Sequence, residues 1–130
     1  MLGRLYEEPE LREGEVIGRR VDTFLEMDGT GWDWTVNGQL ILTNQRLVWV
    51  PLRFAPLRRI DAQYLEFGEI HQCTVGPRGG HISRPFVVRT EAHTFRFYLG
   101  GNPYHVLVTS KPQREWQAWT EEMRQKYRLG

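Results

Sequence analysis

The stretch from Trp34 to Leu52 constrains this chain more than any other. Leu40 and Leu42 alternate with Gln39 and Ile41, Thr43-Asn44-Gln45-Arg46 interrupts, and Leu47, Val48, Trp49 and Val50 resume. Two apolar runs around a short Asn-containing turn make a β-hairpin, and Asn tolerates the positive φ that tight hairpin turns demand. The same texture recurs along the chain. Upstream, Val16 to Met27 is rich in β-branched and aromatic residues and reads as one or two strands, closed by a turn at Asp28-Gly29-Thr30-Gly31. Downstream, Pro51 and Pro56 bracket a loop, since proline cannot sit inside a central strand. Ile60 to Phe67 and Glu69 to Val75 read as strands broken at Gly68, and Pro85 to Thr90 and Thr94 to Leu99 form a second hairpin around Glu91-Ala92-His93. Gly76-Pro77-Arg78-Gly79-Gly80 is a turn, His105 to Thr109 a short final strand, and Pro9 to Glu13 one helical turn stopped at Gly14.

The last element follows a different period. Trp116, Trp119, Met123 and Tyr127 recur at helical spacing, which predicts an amphipathic helix over about 111–127 with that stripe turned to the core. Ser110-Lys111-Pro112-Gln113 fits a capping box ahead of it. At 130 residues, with no repeat, low-complexity tract or linker, the chain reads as a single domain over 1–130.

Several function classes are disfavoured by what the sequence lacks. A formal charge of +1 gives no global field for nucleic acid, so no nucleic-acid partner is expected. Of the 17 basic residues only Lys111 and Lys126 are lysine, which leaves arginine, the better fork for carboxylate or phosphate, as the main cation. A lone cysteine, Cys73, forbids an internal disulfide and fits a cytoplasmic setting. No stretch approaches ~18 consecutive apolar residues, and the opening MLGRLYEEPELREGE, with five Glu, is neither signal peptide nor anchor. His71 and Cys73 are placed on one strand face at i, i+2, but two ligands do not make a metal site. No nucleophile–base or paired-carboxylate set is visible, so neither catalysis, a metal nor a cofactor is expected.

A family resemblance runs through these segments. Gly14-Glu15-Val16, then Gly38-Gln39-Leu40-Ile41-Leu42-Thr43-Asn44-Gln45-Arg46-Leu47-Val48-Trp49, resembles the G-x-L-x-L-T-N-x-R-L hairpin of GRAM and bacterial PH-like domains. Leu65-Glu66-Phe67-Gly68-Glu69-Ile70 is similar to the next landmark of that family, and Trp116 or Trp119 matches its closing-helix tryptophan. The resemblance spans roughly Leu11 to Tyr127. It implies a mainly β PH-like barrel of about seven antiparallel strands in two near-orthogonal sheets, capped by one C-terminal α-helix. Leu40, Leu42, Leu47 and Trp49 then supply core, while Thr43 and Asn44 satisfy turn amides. Relatives of this kind bind phosphoinositides, peptides or proteins.

Candidate ligand-binding residues follow from clusters of cations. Arg53, Arg58 and Arg59 with Phe54 sit in the loop that in PH-like lipid binders often forms a second wall. Arg19 and Arg20 stand at the edge of the region joining the first two strands, although Glu26, Asp28 and Asp33 follow and oppose a phosphoinositide site. Arg78 and Arg84, with His81, flank a glycine-rich turn whose amides can cradle an anion. Trp32 and Trp34 are candidate anchors for a protein partner. The leading expectation is a non-enzymatic module that recognises a protein or peptide, or its own copies. The alternative is peripheral binding to anionic phospholipid through Arg53, Arg58 and Arg59.

Overall fold

The computed structural model describes residues 5–31, 34–54, 59–77, 84–99 and 111–129. Seven strands, β1 (Ile17–Met27), β2 (Val36–Thr43), β3 (Arg46–Pro51), β4 (Gln63–Glu66), β5 (Ile70–Val75), β6 (Phe86–Thr90) and β7 (Thr94–Leu99), precede one helix, α1 (Lys111–Leu129). All pairings are antiparallel, in the order β4-β3-β2-β1-β7-β6-β5. The two expected sheets are therefore one hydrogen-bonded series that passes through β1. That strand pairs with β2 along its length, from Ile17↔Thr43 to Leu25↔Val36, and with β7 from Thr23 onward. One apolar cluster takes Leu25, Leu40, Leu47, Trp49, Leu65, Ile70, Phe86, Val88, Phe95, Phe97 and Trp116, so the sheet curls around a shared core.

The hairpin of β2 and β3 carries the centre of that core. Leu40 faces Trp49 and Leu42 faces Leu47 across the pair. Trp49 is fully buried and its indole Nε1 donates to Thr23 Oγ1 at 2.9 Å, so the ring's one polar atom has a buried partner. The first glycine of the motif now has a reason: a Cβ on Gly38 would lie 2.3 Å from Trp49 Cζ2. The turn is held differently from the expectation. Among the described residues Asp28 is the non-glycine residue with positive φ, so Asn44 does not act through a left-handed backbone. Its side chain instead accepts from Val16 N at 2.7 Å and donates to Gly14 O at 3.0 Å.

The N-terminal segment is an arm, not the expected helical turn. Tyr6 bridges Leu52, Glu7 N donates to Pro51 O at 2.9 Å, and Arg53 N donates to Leu5 O at 3.0 Å. The arm crosses the outer face of the sheet, where Ile41, Val48 and Val50 form a second cluster with Tyr6, Ile17, Ala62 and Tyr64. This explains why β2 and β3 are apolar on both faces. The helix departs from its predicted face. Gln113, Trp116, Thr120 and Arg124 are the buried residues, Trp119 and Met123 are half-buried, and Tyr127 is mostly exposed with its ring edge-on to Phe67 at 6.4 Å. The expected capping box, the turn 78–80, the loop residues 55–58 and the strand 105–109 lie outside the described residues.

Candidate binding site at the loop end

At one end of the barrel, described residues of the β1–β2 and β3–β4 connections flank an open pocket of about 440 Å³ lined by Met27, Asp28, Thr30, Trp34, Val36, Arg59 and Ile60. Its floor is apolar because Met27 and Val36 are the last and first residues of strands whose inward positions feed the core. Trp34, 56% exposed, and Phe54, 84% exposed, stand at this end. The turn after β1 is fixed by Asp28 in the left-handed region, φ 57°, followed by Gly29 at φ 73°. Asp28 Oδ1 accepts from Thr94 N at 2.9 Å and Oδ2 lies 2.7 Å from His93 Nδ1, tying the turn to the β6–β7 hairpin. The Thr94 amide first, then His93, holds the Asp28 carboxyl below its ordinary value.

The cation at the rim is already occupied. The Arg59 guanidinium donates to Asp61 at 3.2 Å and to Glu7 of the N-terminal arm, so two carboxylates share it. Arg53 lies with its guanidinium carbon 5.6 Å from the centroid of its neighbour Phe54. The other sequence candidates do not converge here. Arg19 and Arg20 sit near the start of β1, about eight residues and thus ~26 Å of strand from the turn. Arg20 donates to Gln39 at 3.2 Å, and Arg19 lies over the Trp119 ring at 3.5 Å from its centroid. Arg84 is exposed ahead of β6, its carbonyl accepting from Gln113 at 2.9 Å. Arg58, Arg78 and Trp32 lie outside the described residues.

His71 and Cys73 do not share a face. The register of β5 against β6 shifts between Ile70 and Gln72, a bulge at His71 that leaves His71 exposed and turns Cys73 inward. Burial pushes the Cys73 thiol up to about 12, so it is a packed side chain and not a thiolate nucleophile at neutral pH.

The most heavily built polar feature lies at the other end and was read from the sequence only as a turn. Thr43 Oγ1 accepts from Gln45 N at 3.1 Å and Arg46 N at 3.0 Å, and lies 2.7 Å from Glu15 Oε2. Arg46 forks onto Glu15 with Nε–Oε2 and Nη2–Oε1 both at 3.0 Å, donates to Glu10 O at 2.6 Å, and lies over Tyr64 at 4.4 Å. Burial raises the Glu15 carboxyl, but bonds from Arg46, the Arg12 amide and Thr43 outweigh it and hold the group below its ordinary value. The signal was present in Gly14-Glu15-Val16 and T-N-x-R, both motif landmarks, yet nothing in spacing said that Glu15 and Arg46 touch.

Comparison with known proteins places this geometry in a fold. The chain is similar to the Vps36 N-terminal PH domain, with 14% identity, a TM-score of 0.65, and coverage of 95% of this chain and 89% of that one. It is also similar to the C-terminal domain of an unknown protein from Leishmania infantum, at 13% identity, a TM-score of 0.56, and coverage of 85% and 86%. No family model and no curated protein matches the sequence. The fold is thus PH-like: mainly β, seven antiparallel strands and one C-terminal helix. No described helix is long and apolar enough to cross a membrane.

Proposed function

We propose that this chain is a non-enzymatic binding module whose loop-end pocket recognises a protein or peptide segment. The observation that carries the reading is the state of Arg59: the rim cation is held by Glu7 and Asp61, above a floor of Met27, Val36 and Ile60 with exposed Trp34 beside it. Two carboxylates already offset the charge of that guanidinium, which weakens it as a phosphate site. An apolar side chain on a partner needs only to enter the pocket, and an exposed Trp beside a concave apolar floor suits an interface anchor. A volume of about 440 Å³ lies within the ordinary range for ligand pockets.

A photo-crosslinking residue at Trp34, compared with one at the exposed Gln72 on β5, tests this in native lysate. A discrete adduct, whether with another protein or a second copy of this chain, should form from position 34, fail from position 72, and vanish when Ile60→Asp fills the floor with charge. Equal background from both positions would sink the proposal. Light scattering of the purified chain separates self-association from a foreign partner.

One observation favours a second reading. Phe54 is 84% exposed beside Arg53, a pairing of apolar wedge and cation that suits an anionic membrane surface. On that reading the module sits at the membrane periphery within the cytoplasm, and salt weakens its binding to vesicles.

A further inference from the structure

At the opposite end, a groove of about 290 Å³ runs between α1 and the start of β1, lined by Val16, Gly18, Arg19, Leu42, Thr43, Asn44, Trp119, Glu122 and Met123. A β-bulge creates its shape. The register of β1 against β2 shifts between Ile17 and Arg19, which places Gly18 as the extra residue. Below the bulge Ile17 joins the outer cluster with Ile41 and Val48; above it Arg19 falls in step with Val21, Thr23 and Leu25, the inward-facing positions. Arg19 itself is exposed, at the rim of the face whose later positions feed the core.

The guanidinium is held in place without being neutralised. Arg19 lies 3.5 Å from the centroid of the Trp119 ring, and among the described residues no carboxylate pairs with it. Stacking on an indole uses the face of the guanidinium and leaves its edge donors available for an anion. Glu122, the acidic group of the groove, lies 3.3 Å from Lys126 Nζ. The neighbouring surface continues past Asn44 and Met123 into a second groove of about 500 Å³ with Arg12, Gln45, Glu66, Lys126 and Tyr127. In that extension Arg12, Gln45, Glu66 and Lys126 stand beside the apolar surface of Met123 and Tyr127, so a peptide main chain running along it meets donors and acceptors that an alkyl tail would not use.

We infer that this groove receives the C-terminal end of a peptide with a large apolar last residue. The terminal carboxylate pairs with Arg19, the last side chain lies among Val16, Leu42, Trp119 and Met123, and the preceding residues run along Asn44 and Gln45. The site is separate from the loop-end pocket, so its failure leaves the reading of that pocket standing.

The test is an array of peptides randomised over their last four positions, offered to the intact chain as free acids and as C-terminal amides. Free acids ending in Leu, Ile, Val or Phe should be retained at least about tenfold better than their amides, in line with one charge-assisted pair. Arg19→Gln should abolish that preference, whereas Arg20→Gln, on the outward face beside Gln39, should keep it. Decanoate serves as the non-peptide probe. No preference for acids over amides, a preference that survives Arg19→Gln, or retention of decanoate with no peptide preference would each overturn the assignment.

Discussion

The hairpin knot and the helix seat both bury polar groups, but they treat them in opposite ways. At the knot, Glu15, Thr43 and Arg46 are almost wholly buried and satisfy one another through bonds of 2.7–3.0 Å. Under α1, Gln113, Thr120 and Arg124 are equally buried, yet among the described residues Gln113 Oε1, Thr120 Oγ1 and Arg124 Nε have no hydrogen-bond partner. The helix does make specific bonds: Arg124 donates to Ile70 O at 2.6 Å and Gln117 to Cys73 O at 3.1 Å. Both acceptors lie on β5, the last strand of the series, so helix side chains cover an edge that would otherwise present bare carbonyls. The contrast teaches that a PH-like barrel of this kind is pinned at the hairpin and closed by the helix. Polar burial stabilises the first site and weakens the second.

Removing one member of the knot should be the largest effect. Glu15→Ala leaves the Arg46 charge buried without its bidentate partner and should cost about 3–5 kcal/mol, read by urea denaturation. The same carboxylate shapes the acid limb of stability. Because its folded pKa is depressed, the folded state binds fewer protons than the unfolded chain as pH falls past the ordinary carboxylate range. Its contribution is fully present above the unfolded value, about 4.3, and is lost as pH falls through the folded value. Glu15→Gln should flatten that limb, with the two proteins differing most near neutrality.

Two threonine substitutions sharpen the comparison with matched chemistry. Thr43→Val strips the acceptor from two turn amides and should destabilise by about 1–3 kcal/mol. Thr120→Val removes a fully buried hydroxyl that has no partner among the described residues and should be neutral or stabilising by up to about 1 kcal/mol. Equal costs at the two positions would break the distinction between a satisfied and an unsatisfied site.

Much of the fold was legible because it rests on local periodicity. The β2–β3 and β6–β7 hairpins, the break at Gly68 and the closing helix all lie where alternation, glycine and the tryptophan spacing put them. The helix's buried face was not legible, since Gln113 fits a capping box, Thr120 and Arg124 lie off the tryptophan stripe, and only tertiary packing turns them inward. The N-terminal glutamates were read for what they exclude. Their structural use, Glu7 on Arg59, Glu10 and Glu15 on Arg46, joins residues more than 30 apart and leaves no local trace. The candidate site was half visible for the same reason. Composition pointed to arginine and tryptophan, but only the fold shows that Arg59 has internal carboxylates while Arg19 has an indole face.

That division of the arginines underlies the functional reading, and vesicle sedimentation tests it most directly. With phosphatidylserine and phosphoinositide vesicles at moderate salt, the account predicts retention no greater than with zwitterionic vesicles, and no change in Arg53→Glu with Arg59→Glu. Salt-sensitive binding to the anionic vesicles that this double variant abolishes would contradict it and make the loop end a membrane-binding surface.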